Sequence, residues 1–198
     1  MTLPATATYR PIVNVLWPSG GMVRALALAL FGTALLAASA KVQVQFWPVP
    51  MTMQTFVVLV LGAAYGWRLG MGTMLAYLAE GALGLPVFAG TPEKGIGLAY
   101  MMGPTGGYLI GFVAAAALVG WLFETGRARG LIGLAAAMIL GHAAIFLFGV
   151  GWLAGSLGFA KAVALGLTPF WAATILKTAL AMAAAAGLER LAASRGRD

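Results

Sequence analysis

Six apolar runs, each close to the length needed to cross a bilayer, govern what this chain can become. They cover Val23–Ala40, Met51–Trp67, Leu69–Leu85, Pro104–Phe123, Leu131–Leu153 and Pro169–Leu188, broken by Gly, Pro and charge. A membrane helix uses about 20 such residues, because backbone polar groups in hydrocarbon must be satisfied within their own segment. Hydrophobic residues are 62% of the 198 and charged residues 9%, so the six runs take up nearly all the apolar sequence and leave none for a water-soluble domain. The expected fold is an all-α integral membrane protein with six transmembrane helices. A single polytopic domain is expected, with an interfacial N-terminal segment over 1–22, the six-helix bundle over 23–191 and a basic tail over 192–198.

Arginine placement sets the orientation. With the N-terminus inside, Arg10, Arg24, Arg68, Arg127, Arg129, Arg190, Arg195 and Arg197 all fall on the inner side, Lys41, Lys94 and Lys161 fall outside, and Lys177 lies in the last run. The positive-inside rule then predicts that both termini are cytoplasmic. The loops at Lys41–Pro50, Phe88–Gly103 and Gly155–Gly166 would face outward, whereas Gly66–Gly70 leaves room only for a tight helical hairpin. A net charge of +7 is what inner loops against anionic lipid produce, and it gives no reason to expect nucleic acid. The stretch from Arg24 to Ala40 mimics a secretory signal ending Ala38-Ser39-Ala40. It outruns the about 7–15 apolar residues of such a signal, and it reads as the first transmembrane helix.

The available chemistry is narrow. With no Cys, one His and five carboxylates, neither disulfides nor a metal centre is expected. The sequence has no G-x-x-x-x-G-K-[ST] loop, so any ATP hydrolysis must come from another chain. Ser156 and His142, the nearest serine and base, stand about 21 Å apart along one helix, and no glycine lies two before the serine. No catalytic residues, and no enzyme, are expected. Glu80 is the one carboxylate inside a run, which leaves an ion-coupled carrier using Glu80 and His142 as an alternative.

Lys177 is the stronger clue. A charge so deep in a span costs at least ~2.5–3.5 kcal/mol, so it needs either Glu80 as a partner or an anionic ligand. The outward segments Phe46–Pro50, Pro86–Phe88 and Gly106–Tyr108, with Thr52, Gln54 and Thr105, supply aromatics, prolines and a few polar groups. Such a set suits an apolar cleft for a small amphiphile, and a lysine at its floor suits a carboxylate. Ala25 with Ala29 and Ala34 with Ala38 have the small-xxx-small spacing that lets helices approach closely, within the bundle or against a partner.

Three blocks carry a further signal: Ser39–Thr55 (SAKVQVQFWPVPMTMQT), Tyr77–Gly90 (YLAEGALGLPVFAG) and Gly103–Phe112 (GPTGGYLIGF). In these, and in likeness running from about Val23 to Leu191, the chain resembles the BioY family, the biotin-specific substrate-binding components of energy-coupling-factor vitamin transporters. The resemblance implies a multi-pass protein of the plasma membrane that takes biotin from outside into a pocket closed by the first outer loop and the loop after the third helix. It implies no cofactor of its own. ATP is used by partner ATPase subunits, joined through a transmembrane coupling subunit that contacts Ala25, Ala29, Ala34 and Ala38 on the first helix. On this reading Lys177 neutralises the valerate carboxylate and Thr174 and His142 face the ureido ring. Tyr108, Phe88 and Phe46 cover the ring system, and Gly106, Gly107, Gln54 and Thr52 complete the site. Two positions depart from the family pattern: Thr174 stands where an acidic residue is usual three before the lysine, and His142 where asparagine is usual. Charge-assisted bonds are roughly twice as strong as neutral ones, so these changes raise weaker biotin recognition, or another small carboxylate or vitamin, as the alternative.

Overall fold

The computed structural model describes residues 11–18 and 20–195. The interfacial reading of Tyr9 and Arg10 and the end of the basic tail lie outside the described residues. Long helices dominate, in the order α1 (Ile12–Leu16), α2 (Met22–Lys41), α3 (Gln54–Ala82), α4 (Gly97–Met101), α5 (Gly106–Glu124), α6 (Gly130–Leu157), α7 (Phe159–Gly166) and α8 (Trp171–Arg195). A 3-10 turn, Thr168–Phe170, joins α7 to α8. Among the described residues five helical stretches are long and apolar enough to cross a membrane.

That number is one below the six runs because two of them share α3. Gly66, at φ 78° and ψ 176°, breaks the helix in its middle. The chain doubles back there: Gln54 Nε2 donates to Tyr77 Oη at 2.7 Å, whereas 23 residues of straight helix would separate them by about 35 Å. Each limb is shorter than the about 20 residues of a full helical crossing. Only glycine suits the turn, since a Cβ in this left-handed backbone would fall on Glu124 Oε1 and beside Pro11. The same Glu124 oxygen accepts the Trp67 N–H at 3.1 Å, capping the second limb where its first amides lack helical partners.

Small residues set the packing. A Cβ on Gly62 would lie 2.9 Å from the Ala116 carbonyl, and one on Gly111 2.8 Å from Ile145 Cα, so α3, α5 and α6 pack backbone against backbone. Helix α5 is the central element, with Ala115, Ala116 and Val119 fully buried. Helix α2 is sparsely covered. Val23, Leu26, Leu30 and Phe31 all project outward, an apolar surface that lipid can cover and water cannot.

The loop between α2 and α3, and α2 itself, carry two further features. The loop is not all-coil between helices: β1 (Gln43–Val44) pairs antiparallel with β2 (Met51–Thr52), Gln43 opposite Thr52. The alternation Val42-Gln43-Val44-Gln45-Phe46 carries the period of two that favours this pairing. On α2, Ala34 and Ala38 are exposed while Ala25 and Ala29 are half-buried. Nine positions separate Ala25 from Ala34, about two and a half turns, so the two pairs lie on opposite sides of the helix and form no single face.

Candidate functional site

The loop between β1 and β2, strand β2, the start of α3, the loop before α4, α4 itself and the inward faces of α5, α6 and α8 line one cavity, a concave and mostly apolar setting of the kind small-molecule sites use. Its apolar walls come from Val49, Pro50, Ala89, Leu109, Phe112 and Ile145. Phe46 meets Phe170 at 6.0 Å between ring centroids, Phe170 meets Phe146 at 6.3 Å, and Phe146 meets Tyr108 at 6.4 Å. These rings form an aromatic rank along one side, at separations that favour edge and tilted contact.

The polar groups are few and specific. Lys177 is buried, 5% exposed, and is the one charged residue lining the cavity among the described residues. Its Nζ donates to the Thr52 carbonyl at 3.2 Å. No carboxylate lines the cavity, Glu80 included, so nothing within it neutralises the ammonium. Thr52 is tied to Gln54 at 3.2 Å, Gln54 to Tyr77, and Tyr77 Oη donates to the Val87 carbonyl at 2.8 Å. That relay fixes the Gln54 amide with Nε2 toward Tyr77 and Oε1 toward Thr52. Tyr108 Oη donates to the Gly166 carbonyl at 2.7 Å, holding α7 and the following 3-10 turn against α5. Thr55 Oγ1 is buried with no hydrogen-bond partner, an orphan that a ligand could satisfy.

The structure thus brings together Lys177, Thr52, Gln54 and Tyr108, with Phe46 one ring removed through Phe170. Gly106 and Gly107 do not line the cavity; they sit against Trp152, where a Cβ on either would collide with its side chain or with nearby backbone. Phe88 stands behind the wall, T-shaped to Tyr77 at 5.4 Å and stacked on Tyr100 at 5.0 Å, while its neighbour Ala89 lines the cavity. His142 and Thr174 are placed elsewhere. They share a groove between α6 and α8 with Ile139, Ile175 and Thr178, and His142 Nδ1 lies 3.1 Å from Thr178 Oγ1. Ser156 donates to the Leu153 carbonyl at 3.0 Å and has no contact with His142.

Thr55, Tyr100, Phe146 and Phe170 are cavity residues that sequence reasoning did not single out. Thr55 follows Thr52 and Gln54 directly in sequence, and that nearness is the signal that could have found it; no helix period links it to Thr52, which lies in β2. Tyr100 sits in the short helix α4, whose placement against the cavity no spacing rule gives.

Comparison with known proteins places the chain in a family. The profile of the BioY family matches residues 8–194. The chain belongs to the BioY family. It is 41% identical over 162 residues to a probable biotin transporter BioY of Pyrococcus horikoshii, covering 82% of this chain and 93% of that one. It is 33% identical over 174 residues to a biotin transporter BioY of Thermotoga maritima, covering 87% of this chain and 100% of that one. The crystal structure of a biotin S-component from an ECF-type ABC transporter superposes with a TM-score of 0.74 at 23% identity, over 85% of this chain and 92% of that one. That likeness gives the fold: a multi-pass membrane bundle.

Proposed function

We propose that this chain is the biotin-binding component of an ATPase-powered uptake system in the plasma membrane, and that it carries out no covalent chemistry on its ligand. One observation carries the reading: a largely apolar cavity whose single charge is the unneutralised ammonium of Lys177. Biotin has a matching division, an apolar bicyclic end with a ureido group and a chain ending in a carboxylate. Lys177 would take the carboxylate, for which its Nζ still has N–H groups beyond the one given to Thr52. Thr55, with its unpartnered hydroxyl, and Gln54 would meet the ureido group, and the ranks of Phe170, Phe146 and Tyr108 would cover the rings.

In this reading the two limbs of α3 cross the membrane as a pair, giving six crossings with both termini cytoplasmic. Support comes from the reversal at Gly66 and from the confinement of arginine to one side. The cavity then opens outward beneath the β1–β2 hairpin. A coupling subunit and ATPases would dock on α2, where Ala34 and Ala38 face outward. An ion-coupled carrier through Glu80 and His142 is not favoured, since neither residue lines the cavity.

Retention of labelled biotin by vesicles containing the protein, challenged with unlabelled competitors, tests the ligand. Displacement by biotin at much lower concentration than by other small carboxylates or vitamins is expected. Preferential displacement by a different vitamin would overturn the biotin assignment while leaving the cavity intact.

A further inference from the structure

Lys41 is the last residue of α2, and its side chain reaches across to a loop 45–50 residues further along the chain. Its Nζ donates to the carbonyls of Pro86 at 3.0 Å, Phe88 at 3.2 Å and Thr91 at 3.1 Å, and lies 3.4 Å from Thr91 Oγ1. One ammonium thus gathers four acceptors from a six-residue loop, in the way a bound cation would. Two further loop carbonyls are taken by tyrosines, Val87 by Tyr77 Oη and Ala89 by Tyr100 Oη, each at 2.8 Å, and the Gly90 carbonyl accepts from the Lys94 N–H at 2.8 Å. Between these bonds Phe88 is held 1% exposed, sandwiched by Tyr77 and Tyr100. Ala89 and Tyr100 are themselves part of the cavity wall.

We propose that Lys41 is a positioning residue for ligand retention: it fastens the Pro86–Thr91 wall of the cavity to the outer end of α2. It touches no ligand. Without the ammonium, the three carbonyls that converge on it lose their common donor, Phe88 keeping only its bonds from Thr91, and their repulsion spreads the loop away from Tyr100 and Ala89. Because most of α2 is left uncovered by the rest of the bundle, the strut makes wall closure depend on where α2 sits. A tilt of α2 draws the loop with it and opens the cavity. The claim about retention rests on the cavity being the biotin site; the claim about the loop does not.

The test therefore has two readouts on full-length protein in lipid nanodiscs, wild type against Lys41→Met and Lys41→Arg. The first is amide hydrogen exchange of the ligand-free protein over 84–97, where the N–H groups of Val87, Thr91, Lys94 and Gly95 are hydrogen-bonded. Lys41→Met should speed exchange in that segment by about tenfold or more, as loss of charge-assisted bonds implies, and Lys41→Arg should restore much of the protection. The second is biotin dissociation, expected about tenfold faster in Lys41→Met with association changed far less, because an opened wall frees bound ligand without removing a contact to it. Unchanged exchange and unchanged dissociation in Lys41→Met would overturn the proposal, as would an exchange increase spread evenly over all helices. If exchange rises locally but wild type binds no biotin, the strut stands and the ligand assignment fails. Should Lys41→Met not fold, Lys41→Gln, which keeps one donor group, must show the same local exchange increase at smaller amplitude or the proposal fails.

Discussion

Replacing Lys177 with Met isolates the electrostatic part of ligand recognition. Methionine keeps most of the length of the side chain, which is 5% exposed, and removes the one charge in the cavity. In the wild type a ligand carboxylate would gain a charge-assisted hydrogen bond from Nζ, which already spends one N–H on the Thr52 carbonyl at 3.2 Å. Bonds of this kind contribute about 1.5–3 kcal/mol net. The loss should weaken biotin by roughly ten- to 150-fold, at tenfold per about 1.4 kcal/mol. Size alone could mimic that effect, so the assay is a cycle: titration calorimetry of biotin and of its neutral carboxamide against both proteins. The carboxamide should bind wild type weakly and should lose little further in Lys177→Met. Equal losses for acid and amide, or biotin binding within about twofold of wild type, would refute a carboxylate at Lys177, since a bond of that class shifts affinity by far more.

Thr55→Val should weaken biotin by about three- to tenfold, about 1 kcal/mol, while the melting temperature of the ligand-free protein holds or rises, because the orphaned hydroxyl has no partner to lose. Gly66→Ala should lower that melting temperature through about 1–3 kcal/mol of left-handed backbone strain and the collision with Glu124; differential scanning fluorimetry in detergent reads it. Trp in place of Ala34 or Ala38, both exposed on α2, should abolish co-purification with coupling subunits without altering biotin affinity.

Much of this architecture was legible because a membrane leaves the backbone few choices. Apolar run length located the helices, and Gly66–Gly70 marked the turn between two of them. What run length could not say is that both limbs would be short and joined through one residue with φ 78°, or that alternation in a nominal loop would make the β1–β2 hairpin. In the site, Lys177 was legible because a lone deep charge demands an explanation, and Gln54 and Thr52 because they adjoin an outward aromatic loop. His142 and Thr174 looked equivalent to Lys177 by spacing along the chain, yet the rotation of α6 and α8 turns them into a separate groove. Thr174 precedes Lys177 by three positions and lies only about 60° from it around the helix, so spacing along the chain gave no sign that Lys177 would line the cavity and Thr174 the groove beside it. Phe88 was named for its place in a loop motif, and it supports the wall through Tyr77 and Tyr100 instead of forming it.

The central claim is that the cavity behind the β1–β2 hairpin holds biotin. Isothermal titration of biotin into the purified, ligand-stripped protein measures this most directly. The account predicts saturable one-to-one binding that weakens by about tenfold or more when Lys177 is replaced by Met. Folded wild-type protein that takes up no biotin, or that binds it equally well without Lys177, would contradict it.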